Sequence, residues 1–313
     1  MQRFTGILFL TGAFILAGSS VIAGRYVTDM LGPFTITAVS LFFALLGLLP
    51  LGIRRLVKAF RWMSARDWVQ LLLQALFGIF LFRLFLLQGL IHTSAGEAGI
   101  LTGATPAATA LFAYFFLKER LYKVRLLGII CTVIGILIIQ GIFMPGAGFS
   151  VQHSIGNLLV LCAAICESSF NVLSRVYSIN HTNQSQLDPI AQSILVSWLA
   201  LLLCLGPALS ECPVSSLSTL SLLGWGALVW YGLFVTALAF IFWYSGIKSC
   251  DTTVAAAISG LMPFTAMVLS VLLLGEHPEW WHWLGGLLVV LGMVFTGLDQ
   301  ANNKPKEIIA NPL

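Results

Sequence analysis

Apolar segments long enough to cross a lipid bilayer dominate this sequence. An α-helix needs about 20 predominantly apolar residues to span the ~30 Å hydrocarbon core. Ten segments meet this requirement: 5–24, 33–53, 68–90, 95–117, 123–141, 154–176, 189–209, 221–247, 252–274 and 280–298. Only 9% of the residues are charged, whereas a soluble domain carries about 25%. The sequence therefore predicts an all-α polytopic membrane protein with ten transmembrane helices and the lipid bilayer as its surroundings.

The ten segments divide into two related halves of five helices. Three residues recur 150 positions later: Gly6 as Gly156, Ser19 as Ser169 and Arg25 as Arg175. Four later pairs are 157 positions apart: Pro106 with Pro263, Glu119 with Glu276, Gly128 with Gly285 and Gly135 with Gly292. Because each half has an odd number of spans, the second half enters the membrane from the opposite side. We expect two inverted five-helix repeats, residues 3–141 and 154–298, followed by a disordered tail, residues 299–313.

The distribution of Lys and Arg predicts the orientation of the helices. If the N-terminus is cytoplasmic, the inner segments hold fourteen of these residues and the outer connections hold only Arg25. We therefore expect a multi-pass protein of the cell membrane with both termini, and the tail, in the cytoplasm. The first helix resembles a signal peptide, but helix six carries the same pattern inside the chain, so we expect the first helix to be retained.

Three ionisable residues lie within the predicted spans and are candidates for a substrate site: Arg83, Glu97 and Glu167. A charge at mid-membrane costs about 2.5–3.5 kcal/mol on insertion scales, so it usually faces a partner or a wet cavity. Arg83 could reach either carboxylate. The residues are compatible with a structural ion pair and with a substrate or proton site. Asn171, one turn after Glu167, would extend a polar site on the same helix face.

Two further pairs of residues could take part in binding or movement of a solute. Pro106 and Pro263 fall mid-span in helices four and nine, where each removes a backbone donor and frees the carbonyl four residues earlier. Such symmetric kinks would suit gating, although structural kinks are common in membrane helices. Trp243 and Tyr244 in helix eight could cage a cation or stack on an aromatic metabolite, or they could pack against lipid and neighbouring helices.

Other classes of function find little support in the residues. Cys162 and Cys166 lie one turn apart, but no His or Asp is near them in sequence, so we expect neither a metal nor another cofactor. No basic stripe interleaved with aromatic residues suggests nucleic-acid binding. A membrane-embedded enzyme would need a convergent nucleophile and base, or a metal set, within the spans. All five histidines lie at span ends or in loops, so we expect no enzyme. A receptor or scaffold would be favoured by a large soluble sensory domain, which these 313 residues do not include.

The doubled pattern resembles the EamA-type members of the drug/metabolite transporter superfamily. The resemblance covers residues 3–141 and 154–298 and rests on Gly18-Ser19, Thr93-Ser94-Ala95, Thr105-Pro106, Lys118-Glu119-Arg120-Leu121 and Gly275-Glu276. It implies a ten-helix carrier, often an exporter of amino acids, metabolites or drugs, with a central cavity between the halves.

Two positions depart from the pattern of that family. Ala17 stands where a Trp often precedes the Gly near the end of helix one, and Glu167 occupies the corresponding place in helix six. Ser40 replaces an Arg often seen in helix two. We therefore expect a secondary transporter of small organic solutes that works by alternating access. Its cavity would be lined by Glu167, Asn171 and Arg83, with Glu97 near the outer mouth. The sequence leaves the substrate, the coupling ion (a proton is one candidate), the direction of transport and the oligomeric state undetermined.

Overall fold

The computed structural model describes residues 2–60, 63–117, 123–139, 151–180, 187–249 and 258–302, which fold into helices joined by short connections. The helices are α1 (Gln2–Thr28), α2 (Pro33–Phe60), α3 (Ala65–Ala75), α4 (Phe82–Leu90), α5 (Ala95–Thr102), α6 (Thr105–Leu117), α7 (Lys123–Ile139), α8 (Val151–Asn180), α9 (Pro189–Ser210), α10 (Pro213–Ser218), α11 (Leu222–Val229), α12 (Ala239–Ser249), α13 (Leu261–Leu274) and α14 (Trp280–Asn302). These described residues contain no strand, which confirms the predicted all-α class for this part of the chain.

Within the described residues, six helical stretches are long and apolar enough to cross a membrane: Phe4–Thr28, Pro33–Val57, Ala65–Leu90, Val151–Ser174, Pro189–Ser210 and Leu222–Gly246. Leu261–Leu274 and Trp280–Thr296 are shorter apolar helices. These lengths support a multi-pass membrane protein, while the count of ten spans stays a prediction. Helix α14 ends at Asn302, so the first four residues assigned to the disordered tail are helical, and residues 303–313 lie outside the described part.

The predicted continuous helix over residues 95–117 is wrong, because α5 ends at Thr102 and α6 begins at Thr105. Pro106 has no N–H, so the carbonyl of Thr102 loses its helical partner. The hydroxyl of Thr105, whose oxygen lies 2.8 Å from that carbonyl oxygen, replaces the missing donor. At the equivalent place in the second half, a turn at Gly260 interrupts the helix three residues before Pro263. Both prolines therefore follow an interruption and do not kink a continuous helix.

The third long helix of each half contains a π-helical segment. Leu76–Leu81 joins α3 to α4, and Trp230–Leu238 joins α11 to α12. In the second segment the Thr236 hydroxyl donates to the carbonyl of Tyr231, five residues earlier, at 2.7 Å. π-helical turns are rare and are often found at functional sites. This one brings Thr236 and Tyr231 to a buried arginine.

Helices α7 and α14 approach each other closely through two glycine pairs. A Cβ atom on Gly128 would lie 2.7 Å from the carbonyl oxygen of Gly292, and one on Gly135 would lie 2.7 Å from that of Gly285. Because the residue numbers run in opposite directions along this contact, the two helices are antiparallel. Glycine permits such close backbone contact between membrane helices, which favours their association.

We expect Gly128→Ala to destabilise the protein by about 1–3 kcal/mol, the usual cost of forcing extra atoms into a packed interior. The measurement is the thermal unfolding midpoint of the detergent-solubilised protein. Gly226→Ala is the matched control, since nothing lies within 4 Å of a Cβ atom at that position. Equal midpoints for the two variants would contradict this interpretation of the glycine contact.

A second kind of glycine contact occurs twice in the bundle. A Cβ atom on Gly156 would lie 3.0 Å from the carbonyl oxygen of Gly89, which joins α8 to α4. One on Gly246 would lie 3.3 Å from the carbonyl oxygen of Gly6, which joins α12 to α1. The two contacts link helices at corresponding places in the predicted halves.

One end of the bundle carries all four histidines that the structure describes: His92, His153, His277 and His282. We call it the histidine end. Two carboxylates bind helix N-termini there. Glu211 accepts hydrogen bonds from the first N–H groups of α2 at 3.2 and 2.7 Å, and Glu276 accepts from Ala95 and Gly96 of α5 at 2.7 and 2.9 Å. Unpaired N–H groups and the helix dipole both favour an anion at this position, so these contacts fix the connections that follow α9 and α13.

Candidate functional site

Arg83 is buried between three helical segments, with 4% of its surface exposed. Its guanidinium donates to the hydroxyl of Ser40 on α2 at 2.8 Å and to that of Thr236 in the second π-helical segment. The guanidinium carbon also lies 4.3 Å from the ring centroid of Tyr231, a cation–π contact. The EamA-type proteins that the sequence resembles often carry an arginine at the position of Ser40. Here the guanidinium of Arg83, on α4, lies beside that position.

No described carboxylate lies within ion-pair distance of Arg83. The structural ion pair with Glu97 or Glu167, which the sequence left open, is therefore not formed among the described residues. Two hydroxyls and an aromatic ring solvate the guanidinium, but they bring no negative charge. A guanidinium has five N–H donors, and the two hydroxyl contacts engage only two of them. Arg83 is a desolvated cation with unused donors.

Glu167 lies midway along α8 and is half-buried. One carboxylate oxygen is 2.8 Å from the hydroxyl oxygen of Thr105, at the break between α5 and α6. The same hydroxyl is also 2.8 Å from the Thr102 carbonyl, and it has one proton to donate. If that proton goes to Thr102, a protonated Glu167 is needed to donate to Thr105. If Glu167 is ionised, the hydroxyl turns to it and leaves Thr102 without a partner.

Arg83 and Glu167 lie at a similar depth in the bundle. Gly89 contacts Gly156 and Val160 of α8, and Gly78 contacts the ring of Phe170, so the third helix runs antiparallel to α8. Arg83 is about midway between the two glycines. Glu167 is two to four residues from the middle of the matching stretch of α8, or ~3–6 Å along the axis at about 1.5 Å per residue.

The other predicted substrate residues lie near this level with different surroundings. Asn171 is half-buried, and no hydrogen bond of its side chain is found among the described residues. Trp243 packs edge-on against Phe14, with ring centroids 5.6 Å apart. Tyr244 is buried and stacks on Phe240, and its hydroxyl has no partner in the described part of the chain. Among the described residues, no hydrogen bond or ring contact joins these three residues to Arg83 or Glu167.

Glu97 is the centre of a separate polar cluster at the histidine end, with 7% of its surface exposed. One carboxylate oxygen lies 2.8 Å from Nε2 of His153, and the other lies 3.0 Å from Nε2 of His282. The Asn157 amide also donates to Glu97 at 3.3 Å, while the Thr93 hydroxyl donates to Asn157. These histidine and amide partners of Glu97, which belongs to the first half, all lie on helices of the second half of the chain.

A cavity of about 190 Å³ adjoins this cluster. It is lined by Ser94, Gly96, Glu97, Met267, Glu276, His277, Pro278 and His282. Both carboxylates in this lining are already hydrogen-bonded, Glu97 by the histidines and Glu276 by the N-terminus of α5. The cavity therefore offers a polar space at the bundle end, and its lining charges are engaged within the protein.

Sequence reasoning missed the partners of the ionisable residues. In the sequence Ser40 is only a departure from the family pattern, and Thr236 and Asn157 carry no local signal. Histidines 153 and 282 were assigned to span ends, which is where they lie. Their convergence on Glu97 could have been suspected from one pattern: each begins a predicted helix that starts at the same membrane face as the helix of Glu97.

The convergence of two histidines on a carboxylate bears on the enzyme alternative. Glu97 is in the first turn of α5 at the bundle end, not at mid-span. Both ring nitrogens of each histidine are engaged, so neither can take a proton from the nearby Ser94. The described residues also contain no group of three His, Cys, Asp or Glu that could hold a metal. The cluster lacks an activated nucleophile.

Comparison with known proteins identifies relatives over most of the chain. The model of the EamA-like transporter family matches residues 4–141 and 154–298. The uncharacterized transporter YetK of Bacillus subtilis (strain 168) is 32% identical over 93% of this chain and 86% of its own length. A probable terminal-alkyne amino-acid exporter of Streptantibioticus cattleyicolor is 25% identical over 78% of this chain and 76% of its own length.

Two more distant similarities extend over nearly the whole chain. The WAT1-related protein At3g02690 of Arabidopsis thaliana, a chloroplastic protein, is 26% identical over 94% of this chain and 70% of its own length. A solved crystal structure, described only as that of a protein, superposes with a TM-score of 0.63 at 22% identity, covering 96% of this chain and 99% of its own. At that identity the structural match supports the fold alone.

Proposed function

Because this chain belongs to the EamA-like transporter family, we propose that it is a secondary transporter, and specifically an exporter, of small organic solutes that works by alternating access. It would lie in the cell membrane with both termini in the cytoplasm, which puts the histidine end outside. The relatives named as transporters favour a carrier over an enzyme or a receptor.

The glycine contacts support two inverted repeats. An offset of 157 relates Gly128 to Gly285 and Gly135 to Gly292, and each of these residues contacts the counterpart of the other. A two-fold axis between α7 and α14 requires such reciprocal contacts, in which each glycine touches the counterpart of the other. The antiparallel direction of the two helices fits halves of opposite orientation. The contacts of α8 with α4 and of α12 with α1 obey the same relation. Carriers built in this way bind substrate near the midplane between their repeats.

The substrate site is formed by Arg83 and Glu167. A buried guanidinium without a counter-charge and a half-buried carboxylate lie at one depth, near the middle of the bundle. Opposite charges on two sides of a site select a solute that carries both an anionic and a cationic group. Amino acids and their derivatives have this chemistry, and one relative is named as an amino-acid exporter. Asn171, Trp243 and Tyr244 would complete the lining.

The interruptions before Pro106 and Pro263 are the points at which the helices bend during transport. The Thr105 hydroxyl can serve either the Thr102 carbonyl or Glu167, so the state of Glu167 is linked to the backbone at the break. A substrate ammonium or a proton at Glu167 would each change this choice. The two prolines would then allow the segments on either side of the breaks to tilt, and Glu97 would act at the outer mouth.

The direct test is counterflow into liposomes that contain the purified protein. Liposomes preloaded with an unlabelled amino acid would be given the radiolabelled form, the matching amine that lacks the carboxylate, or the matching acid that lacks the ammonium. We expect at least tenfold greater accumulation of at least one zwitterion than in protein-free liposomes, and less of either analogue. No accumulation of any of these classes, with or without imposed proton and sodium gradients, would overturn the proposal.

A further inference from the structure

The carboxylate–histidine cluster at the histidine end joins three helices and takes no part in the proposed substrate site. Glu97 comes from α5, His153 from the first turn of α8 and His282 from the first turn of α14. The first helix belongs to the first half of the chain and the other two belong to the second. The cluster therefore bridges the two halves at one end of the bundle, where a change in its hydrogen bonds would alter their contact.

The hydrogen bonds of His282 determine where its proton lies. The backbone N–H of Glu279 donates to Nδ1 of this ring at 3.0 Å, so Nδ1 must be an unprotonated acceptor. Nε2 then carries the only ring proton and donates it to Glu97 at 3.0 Å. His282 is a neutral donor in this arrangement. A nitrogen that carries a proton is not a metal ligand, which argues against a metal at the same place.

His153 requires one more proton than a neutral histidine and an ionised Glu97 together provide. Nε2 of His153 lies 2.8 Å from Glu97, and the ring also donates to the backbone carbonyl of His92, which leaves Nδ1 for that contact. A neutral ring has one N–H and cannot donate to both acceptors. Either the ring is an imidazolium or Glu97 is a carboxylic acid that donates to Nε2. In both cases one proton lies between His153 and Glu97.

We propose that His153 and Glu97 form a proton-binding site that holds the histidine end closed, so that opening of this end releases the proton. The inference rests on the proposed function for its setting, since that places this end outside the cell. Without the proton, the single N–H of a neutral His153 cannot serve both Glu97 and the carbonyl of His92, so one of the two contacts is lost. With it, α5 and α8 share a charge-assisted or fully satisfied hydrogen bond.

The other titratable groups near the cluster do not replace this proton. Glu276, in the connection before α14, is bound by two backbone N–H groups of α5. His277 is exposed and lines the neighbouring cavity. Glu279 contributes its backbone N–H to His282, and His92, between α4 and α5, contributes its carbonyl. Asn157 and Thr93 are neutral. Of these described groups, only His153 and His282 share a proton with Glu97 across the two halves, and His282 keeps its single ring proton on Nε2.

The sign of the pH effect follows from this assignment. The closed state holds the proton, and the open state exposes His153 to water, where the ordinary pKa of a histidine is about 6.5. Acid outside the cell therefore favours closure. Above pH ~6.5, the opening equilibrium should rise by up to about tenfold per pH unit, because opening releases one proton.

Amide hydrogen exchange on the purified full-length protein, read by mass spectrometry between pH 5.5 and 8.5, measures this equilibrium without a substrate. After correction for the intrinsic exchange rate, protection of α5 and of the first half of α8 should fall about fivefold from pH 6.5 to 7.5, because half of the exposed His153 is still protonated at pH 6.5. His153→Gln keeps a donor but cannot titrate, so its protection should not vary with pH. His277→Gln is the matched control and should behave as the wild type. Protection that is independent of pH in the wild type would overturn the proposal, as would the wild-type pH dependence in His153→Gln.

Two further measurements keep the proposal testable if one variant folds poorly. Ring ¹⁵N NMR of the wild type should show the ring proton of His282 on Nε2; a proton on Nδ1 would contradict the assignment. Adding Zn²⁺ at pH 8 should not restore protection, and full restoration by stoichiometric Zn²⁺ would replace the proton site by a metal site. Neither measurement depends on transport, so a failed transport assay and a failed proton site remain distinguishable.

Discussion

Glu167→Gln is expected to lower the rate of zwitterion transport at least tenfold. The amide fits the same space and can still bond to Thr105, but it provides no charge for a substrate ammonium. A hydrogen bond to a charged group contributes about 1.5–3 kcal/mol, and about 1.4 kcal/mol corresponds to a factor of ten. Because the amide cannot exchange a proton, any dependence of the transport rate on pH that arises at Glu167 should also disappear. The measurement is the initial counterflow rate in liposomes at several pH values.

The matched control for this change is Glu279→Gln. Glu279 is exposed at the histidine end, and its contact with His282 uses the backbone N–H, so the variant should transport as the wild type does. A Glu167→Gln protein with the wild-type rate and the wild-type pH dependence would remove Glu167 from the transport site.

Arg83→Met is expected to abolish transport of carboxylate-bearing solutes while leaving the fold intact. Desolvating an ion without a counter-charge costs several kcal/mol, and methionine removes that cost while keeping much of the apolar stem. The two hydroxyls remain satisfied, because Ser40 also donates to Thr37 and Thr236 also donates to Tyr231. The thermal unfolding midpoint in detergent should therefore stay the same or rise. A binding residue often makes the folded protein less stable than another residue at the same position would, and this is typical of functional sites.

The two measurements on Arg83→Met separate a binding role from a structural one. A binding role predicts that counterflow of the zwitterion falls to the level of protein-free liposomes, with no loss of stability. A purely structural role predicts the opposite: a marked fall in the unfolding midpoint and normal transport by the protein that remains folded. Arg83→Lys keeps the charge but loses the two-armed geometry, and we expect it to retain partial transport.

The break before Pro106 shows how far local rules extend. Pro106 frees the carbonyl of Thr102 because proline has no backbone N–H. The sequence was sufficient to predict this effect. The partner of the freed carbonyl was not predictable, although the hydroxyl of Thr105 is only three residues away. The choice depends on Glu167, which comes from another helix and competes for the same hydroxyl.

The charged residues show more clearly what the sequence could not predict. Arg83, Glu97 and Glu167 lie within apolar segments, where a charge is energetically unfavourable, and this identified them as candidate functional residues. The sequence left open whether Arg83 pairs with a carboxylate, because opposite charge at a similar depth does not decide which helices are neighbours. Arg83 is turned towards α2 and the second π-helical segment, where its contacts among the described residues are two hydroxyls and a ring.

The sequence by itself determined that this protein is helical and suited to a membrane, and it identified the few polar residues within its apolar segments. Those properties depend on the composition and periodicity of segments of about 20 residues. Each such segment has them whether or not other helices pack against it. Only the tertiary structure decided that Glu97 meets two histidines, that Arg83 has no counter-charge among the described residues and that Glu167 faces the break in the helix of Pro106. These contacts join residues 43 to 185 positions apart, and they depend on which helix faces pack together, which no local pattern specifies.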